Sequence, residues 1–143
     1  MRGVDSTAIR ERPALNPDVA PFWAGVQRGV LLIQQCSACR ALRFPWGPAC
    51  PACGELSWSA VESSGRGTVY SYVTVHHPLP SPFREPFTTG LIQLEEGVRI
   101  VGLLHGADPA EVAIGAAAEV VFTADGDFTF ADFRIAGGAK AGT

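Results

Sequence analysis

The spacing of four cysteines constrains this chain of 143 residues more than any other feature. Cys36, Cys39, Cys50 and Cys53 form a C-x₂-C-x₁₀-C-x₂-C pattern and are the only cysteines in the sequence. A C-x₂-C pair forms a tight turn that directs two sulfurs at one point, and two such turns complete a tetrahedral shell around a metal ion. The pattern therefore predicts a metal-binding ribbon built on two cysteine turns.

The cysteine spacing favours zinc and leaves two alternatives open. A rubredoxin-like iron site would use the same four sulfurs. Two disulfides are disfavoured, because no apolar leader that would direct the chain to an oxidising compartment follows Met1. Four protein ligands leave no coordination position for water or substrate, so the expected Zn²⁺ is structural. A zinc enzyme would need an exchangeable ligand, which this pattern does not supply.

Hydrophobic periodicity predicts a mainly β chain with one helix near its start. Apolar residues recur at three- and four-residue spacing over 17–28, directly after Asn16, which can cap a helix. A strand is expected over 30–35, and turns dominate up to residue 58. Alternation over 68–76 places Val69, Ser71, Val73 and Val75 on one face of a strand. Further strands are expected over 88–94, 98–104, 119–124 and 128–135.

The order of these strands predicts a second folding unit. Hairpin turns are expected at 95–97 and 125–126, and a short helix that includes Pro109 and Glu111 is expected to begin at Asp108. Three strands, a helical turn and a final hairpin are typical of a five-stranded OB-fold barrel. The predicted organisation is a flexible tether (1–15), an N-terminal helix with a zinc ribbon (16–59), an OB-fold barrel (60–136) and a flexible tail (137–143).

Charge and hydropathy narrow the classes of partner. The net charge is −3, and residues 67–136 carry nine acidic against three basic side chains. The densest apolar run, residues 30–33, is too short to span a bilayer, so a cytoplasmic protein without membrane contact is expected. Nucleic-acid binding is the alternative function, with Tyr70, Tyr72, Phe128 and Phe130 as stacking platforms. The acidic barrel argues against it, because basic side chains supply most non-specific affinity for nucleic acid.

The sequence contains no recognisable catalytic set. The histidines are strand-end residues that could also face a ligand: His76, His77 and His105. The carboxylates around the last hairpin are expected to be solvated turn residues: Asp125, Asp127 and Asp132. No cysteine is left for thiolate chemistry, and no serine lies in a nucleophile elbow. The chain is therefore not expected to be catalytic alone.

Several further motifs carry a resemblance to a known family. They are Pro21-Phe22-Trp23 in the helix, Arg43-Phe44-Pro45 in the ribbon, residues 65–71 at the entrance to the barrel, and the Val75-His76 step before a run of prolines. Together with the four cysteines, they make the chain similar to small acyl-CoA-associated proteins with an N-terminal helix, a rubredoxin-like zinc ribbon and an OB-fold. That family has long been catalogued as a domain of unknown function.

The resemblance implies an accessory role. Such proteins are non-catalytic partners of thiolase-superfamily enzymes that act on acyl-CoA thioesters. Some are fused to a hotdog-fold enoyl-CoA hydratase of steroid side-chain degradation, and pair with a thiolase-like retro-aldolase. That enzyme cleaves a β-hydroxyacyl-CoA into a ketone and a shorter acyl-CoA. By resemblance the chain would complete such an aldolase or thiolase-type subunit in a two-plus-two heterotetramer, with the acyl-CoA shared between the partners.

The implied acyl-CoA and partner suggest two surfaces. Phosphates of CoA would meet basic residues near the ribbon, and the candidates are Arg28, Arg40, Arg43 and Arg66; the alternative is that these arginines are ordinary surface residues or form salt bridges with the partner. Docking of the partner is expected on the front helix and the proline-rich loop, and the candidates are Phe22, Trp23, His76, His77, Phe83 and Phe87. Phe22 and Trp23 could instead pack on their own ribbon or barrel.

Overall fold

The computed structural model describes residues 10–106, 108, 110 and 112–136, and β-structure dominates them. The elements are α1 (Ala20–Gln27), β1 (Leu32–Cys36), β2 (Leu42–Arg43), β3 (Trp58–Glu62), β4 (Arg66–Val75), β5 (Phe87–Leu94), β6 (Arg99–His105), β7 (Ala117–Asp125) and β8 (Phe128–Ile135). The mainly β class predicted from the sequence is confirmed. Among the residues that the structure describes, no helix is long and apolar enough to cross a membrane.

Helix α1 begins later than predicted and ends close to the predicted position. The side chain of Asn16 accepts a hydrogen bond from the backbone N–H of Val19 at 3.2 Å, within a turn that precedes the helix. Gly29 adopts a φ of 80°, and the N–H of Val30 donates to the carbonyl of Gly25 at 2.9 Å. This bond across a left-handed glycine is a common way to end a helix, because it satisfies a carbonyl of the last turn.

The ribbon contains a three-stranded sheet of order β2-β1-β3. β1 pairs antiparallel with both neighbours, and Gln34 lies opposite Arg43 in β2 and Ala60 in β3. The sequence predicted only β1, because β2 has just two residues and four of the five side chains of β3 are exposed. A strand with exposed side chains on both faces lacks the alternation that identifies a strand in a sequence.

The second unit is a closed five-stranded barrel with the order β4-β5-β6-β8-β7. The predicted OB-fold architecture is confirmed. The first hairpin turn forms between β5 and β6 as predicted, and the second forms at Gly126 and Asp127, one residue later than predicted. β6 and β8 run parallel but pair only at Leu104 with Phe133 and at His105 with Arg134. The first halves of these two strands consequently diverge, and α1 lies at this divergence with its side chains against β8.

Strand β4 departs from the predicted alternation. Its register with β5 shifts between Val69 and Ser71, which marks a β-bulge. A bulge inserts one residue and so exchanges the faces of all residues after it. Val69 is 1% exposed, but Val73 is 60% exposed and Tyr72 packs against the core. The prediction that Val73 lies on the same face as Val69 is wrong for this reason.

Two glycines allow the ribbon to join the barrel closely. Gly65 has a φ of 80°, and a Cβ on Gly67 would lie 2.2 Å from the carbonyl oxygen of Gln93 in β5. One hydrophobic core then runs through both units: it includes Val26 of α1, Ile33 of the ribbon, and barrel residues up to Phe133. The helix, ribbon and barrel therefore pack as one body.

Several predictions lie partly or wholly outside the described residues. Pro109 and Glu111 of the predicted short helix between β6 and β7 are among them, as are residues 1–9 of the predicted tether and the predicted tail over 137–143. The segment over 10–15 is described, and its arginines contact the barrel. The predicted domain boundaries stay a prediction.

Candidate metal centre and neighbouring surfaces

The first cysteine turn follows directly from the end of β1. Cys36 is the last residue of that strand, and its sulfur accepts hydrogen bonds from the backbone N–H groups of Ala38 at 3.3 Å and Cys39 at 3.4 Å. The N–H of Arg40 donates to the carbonyl of Cys36 at 3.1 Å. Arg40 has a φ of 67°, a conformation that closes the turn and directs the chain into β2.

The second cysteine turn repeats this geometry with glycine at the closing position. The N–H of Gly54 donates to the carbonyl of Cys50 at 2.8 Å, and Gly54 has a φ of 82°. The N–H of Cys50 donates to the carbonyl of Glu55 at 2.9 Å, which holds the two ends of the turn together. Each C-x₂-C pair is therefore held by backbone hydrogen bonds.

The two turns bring four sulfurs to one point. All four Sγ atoms lie within 4.8 Å of one another, and the Cys36–Cys53 and Cys39–Cys50 sulfurs are each 3.6 Å apart. Tetrahedral coordination with metal–sulfur bonds of about 2.3 Å requires sulfurs about 3.8 Å apart. A disulfide needs about 2.05 Å, so the disulfide alternative does not fit this geometry. The donor set fits a tetrahedral metal ion.

The thiols differ in how readily they ionise. Backbone N–H groups of Cys53 and Ala52 point at the Cys50 sulfur and lower the pKa of that thiol to about 6. The N–H of Glu55 favours the Cys53 thiolate, but the neighbouring Cys36 thiol and burial oppose it and raise the pKa of Cys53 to about 11. Four thiolates held this close need a cation to offset their charge. Because all four positions are filled by protein sulfur, the ion would fix the ribbon and hold no reactant.

A second polar cluster lies where the sequence predicted only solvated residues. Asp132 is 0% exposed and accepts two hydrogen bonds from the Arg10 guanidinium, at 2.9 and 3.1 Å. Nε2 of His105 lies 2.8 Å from Oδ2 of the same carboxylate. The expectation that Asp132 is a solvated turn residue is wrong, because β8 carries it into the barrel wall. Its position two residues after the buried Phe130 is the sequence feature that could have revealed this.

The chain that precedes α1 is held against the last hairpin by the same cluster. The Arg10 guanidinium stacks 3.9 Å from the centroid of the Phe130 ring, and Arg12 donates to the backbone carbonyl of Asp125 at 2.6 Å. Phe130 is 7% exposed and also packs against Trp23. Phe130 is therefore covered on both sides and presents no open platform for a stacked base.

An apolar groove of about 530 Å³ lies between the helix, the ribbon and the barrel. We call it the α1–β6 groove, and its lining residues are Val19, Phe22, Trp23, Phe44, Pro45, Trp46, Leu91, Arg99, Ile100, Val101 and Ala131. Arg99 is the single charged residue of this lining. No pattern in the sequence predicted the groove, because its walls come from three separate units.

Two family models match the chain in succession. The ChsH2 rubredoxin-like zinc ribbon domain matches residues 23–59, and the ChsH2 C-terminal OB-fold domain matches residues 60–123. One chain of a solved structure described as "Ltp2-ChsH2(DUF35) aldolase" superposes with a TM-score of 0.84 at 40% identity, over 87% of this chain and 99% of that chain. The chain belongs to the ChsH2 (DUF35) family.

Two curated proteins are similar to it in sequence. It is 50% identical over 105 residues to the 3-oxo-4,17-pregnadiene-20-carboxyl-CoA hydratase alpha subunit of Mycobacterium tuberculosis, over 73% of this chain and 33% of that protein. It is 44% identical over 108 residues to a probable enoyl-CoA hydratase alpha subunit of Thermomonospora curvata, over 76% and 34% respectively. The chain thus spans about a third of the length of these relatives.

The arginines that family resemblance assigned to CoA phosphates have different surroundings. Arg28 donates to the carbonyl of Ala24 at 3.4 Å at the end of α1, and Arg40 is exposed beside the first cysteine turn. Arg66 pairs with Glu95 at 3.2 Å on the surface. The side chain of Arg43 instead turns into the ribbon, where its Nε donates to the buried Gln34 at 2.8 Å. Their assignment to CoA stays a prediction.

The residues expected to dock a partner differ in burial, although Trp23 and Phe83 line one cavity of about 370 Å³. Phe22 is 6% exposed and packs edge to face on Phe44 at 5.1 Å, so it is a core residue whose side chain lines the groove only as a wall. Trp23 is half-buried against the barrel. His76 and His77 are exposed at the end of β4, and Phe83 stacks on Phe87 with their centroids 4.0 Å apart. Phe22 and Trp23 thus pack on their own chain, which was the alternative interpretation of these two residues.

Proposed function

We propose that this chain is a non-catalytic accessory subunit that binds and completes a thiolase-superfamily acyl-CoA enzyme. The enzyme proposed is a retro-aldolase that cleaves a β-hydroxyacyl-CoA in steroid side-chain degradation. The observation that carries the proposal is the superposition on a chain of the "Ltp2-ChsH2(DUF35) aldolase", which this chain covers over 99% of its length. The name of the M. tuberculosis relative supports a steroid acyl-CoA as the substrate class.

The geometry of the four cysteines supports a structural metal site. The four cysteines can supply all four ligands of a tetrahedral ion, and we propose Zn²⁺ as that ion, since the matching family domain is a zinc ribbon. Asp132 bonds to both His105 and Arg10, and these contacts hold the chain before α1 against the barrel. A subunit that holds an aldolase subunit in place needs rigid contact surfaces more than reactive side chains.

The assembly proposed is a two-plus-two heterotetramer with the thiolase-like aldolase subunit, in the cytoplasm. A hotdog-fold enoyl-CoA hydratase is a further proposed partner, because both curated relatives are named as hydratase alpha subunits and are about three times as long as this chain. CoA phosphates shared with the partner would meet Arg28, Arg40 or Arg66, which are exposed.

Co-purification and reconstitution test the proposal. The chain is expressed with a tag together with an Ltp2-type aldolase subunit, and each is also expressed alone. We expect a stoichiometric complex and cleavage of a β-hydroxyacyl-CoA by the complex, no cleavage by this chain, and little or none by the aldolase alone. Ketone release and shortened acyl-CoA are followed by chromatography.

Two results would overturn the proposal. Full activity of the aldolase subunit in the absence of this chain would remove the accessory role. Salt-sensitive retardation of oligonucleotides, without a complex with the aldolase, would favour the nucleic-acid-binding alternative.

A further inference from the structure

The α1–β6 groove opens onto a wider apolar strip on the outer face of the barrel. Leu91 and Val101 are neighbours in the β5–β6 register, and both also line a second cavity of about 260 Å³ that includes Val73. Val73 is 60% and Val101 63% exposed. A contiguous apolar surface of this kind on a protein marks an interaction site. Leu91, Val101 and Val73 thus extend the groove across three strands.

The charge at the groove is opposite to that of the surrounding barrel. Arg99 lies at its edge, where the guanidinium stacks 3.7 Å from the Tyr70 ring centroid and Nε donates to Gln93 at 3.1 Å. Among the described residues, no carboxylate forms an ion pair with Arg99. No acidic residue lines the groove, although residues 67–136 carry nine acidic side chains against three basic ones. The groove is therefore complementary to an apolar group beside a carboxylate.

We propose that the α1–β6 groove and the strip of Val73, Leu91 and Val101 are the docking face for the thiolase-like partner subunit. The partner inserts an apolar side chain into the groove and places a carboxylate on Arg99. This inference rests on the proposed function and names the face that performs it. A protein surface is the occupant because an acyl chain inside the groove would leave the strip of three strands exposed to water.

The aromatic residues of the helix shape the docking face from within the core. Phe22, Trp23 and Phe44 form the wall of the groove, so the helix shapes the docking face without presenting its aromatic rings to the partner. A rigid apolar pocket at the centre of an interface is where most binding energy concentrates. The proline-rich loop with Phe83 lies at the border of this face, since Phe83 and Val101 line one further cavity of about 370 Å³.

Acidic substitutions at the groove test the proposal. Val101→Asp places a charge at its mouth, and Arg99→Glu reverses its single charge. The matched control is Ile114→Asp, since Ile114 is 69% exposed and lines neither the groove nor the strip. Each metal-loaded variant is first compared with the wild type by circular dichroism and thermal melting, and is then titrated with the Ltp2-type aldolase subunit by calorimetry.

We expect Val101→Asp to weaken binding at least tenfold and Arg99→Glu roughly fivefold, while Ile114→Asp binds like the wild type. Normal binding by folded Val101→Asp and Arg99→Glu would overturn the docking face and leave the accessory role intact. Failure of the wild type to bind would overturn both. Val101→Asp could also leave aldolase binding unchanged and abolish a homodimer, which would assign the groove to a second copy of the chain. If it instead abolished acyl-CoA binding by the isolated chain, the groove would be assigned to the acyl chain.

Discussion

Asp132 is a buried carboxylate that holds the segment before α1 in place, a segment for which the sequence pattern predicted no regular structure. The carboxylate is inaccessible to solvent, yet both of its oxygens accept hydrogen bonds from Arg10, and His105 bonds to one of them. Burial of an ion pair is tolerated only when its partners satisfy the charge. The chain before α1 is therefore held by hydrogen bonds and ion pairs of its side chains. Such polar contacts leave no hydrophobic periodicity in the sequence that could reveal them.

Removing the charge of Asp132 is expected to destabilise the protein strongly. Asp132→Asn leaves the Arg10 guanidinium, whose side chain is 16% exposed, without its counter-charge, and should lower the free energy of unfolding by about 3 kcal/mol. Urea denaturation measures the change. Asp127→Asn is the matched control: that side chain is 99% exposed, and its replacement should change stability by less than about 0.5 kcal/mol. Equal effects of the two substitutions would contradict a structural role for the buried cluster.

The same cluster predicts a dependence of stability on pH. Burial raises the pKa of Asp132, but the hydrogen bonds and charges of His105 and Arg10 outweigh it and hold the pKa below the ordinary value of 3.8. A carboxyl with a lowered folded-state pKa stabilises the fold fully above its unfolded-state pKa, and this stabilisation is lost as the pH falls through the folded-state value. The stability difference between the wild type and Asp132→Asn should therefore shrink below about pH 4. A difference that stays constant down to about pH 2 would contradict the assignment.

Arg40 carries a conformational cost that glycine would relieve. Its φ of 67° is in the left-handed region, and the equivalent position of the second cysteine turn holds Gly54. A side chain costs about 1–2 kcal/mol there, whereas glycine costs about 0.5–1 kcal/mol through the entropy of the unfolded chain. Arg40→Gly should consequently raise the free energy of unfolding by about 0.5 kcal/mol. Thermal melting should show the opposite change for Arg28→Gly, because Arg28 has an ordinary φ of −94°.

At the scale of elements, the β5–β6 turn clamps the connection between ribbon and barrel. The carboxylate of Glu96 accepts hydrogen bonds from the Ser63 hydroxyl and the Ser64 backbone N–H, both at 2.8 Å. Glu96→Ala would leave the partly buried Ser63 hydroxyl without its acceptor and should lower the free energy of unfolding by about 1–2 kcal/mol. Glu95→Ala removes exposed contacts with Arg66 and with the Ser64 hydroxyl and should cost less. Chemical denaturation of the two variants measures the difference, and a larger loss for Glu95→Ala would contradict the clamp.

The elements also show where sequence patterns carry information and where they do not. β8 was predicted with its observed bounds, because a hairpin turn at Gly126 and alternating aromatics define it locally. The alternation in β4 failed after Val69, since a bulge depends on pairing with β5 and leaves no local pattern. β3 was missed because its stability comes from pairing with β1 and not from burial of its own side chains.

At the scale of the whole molecule, the metal centre was predictable and the surfaces were not. Short turns, whose geometry depends only on neighbouring residues, bring together Cys36, Cys39, Cys50 and Cys53. The spacing of these cysteines in the sequence is therefore enough to predict that their sulfurs meet. The α1–β6 groove depends instead on how the helix packs between two folding units, which no spacing records. Phe22 illustrates the difference: it was expected on a docking surface, but the packing of the ribbon buries it against Phe44.

The core shared by the ribbon and the barrel determines how removal of the metal should affect the stability of the protein. Helix α1 packs Phe22 on the ribbon and Trp23 on Phe128 of the barrel, so a ribbon that loses its ion withdraws support from the barrel as well. Cys50→Ala, or chelation of the metal, should therefore lower the melting temperature of the entire protein by roughly 10 °C or more. If the barrel were stable without the ribbon, loss of the metal would unfold the ribbon alone.

Hydrogen exchange distinguishes these outcomes, because amides of β1 report on the ribbon and amides of β5 report on the barrel. In a metal-bound protein with one core, both sets should exchange slowly, and Cys50→Ala should accelerate both. The matched control is Ser57→Ala: Ser57 is exposed in the ribbon outside the cysteine turns, and its replacement should leave both rates unchanged. Acceleration confined to β1 would mean that the barrel is stable without the ribbon. The core shared through Val26, Ile33 and Phe133 would then contribute little to the stability of the barrel.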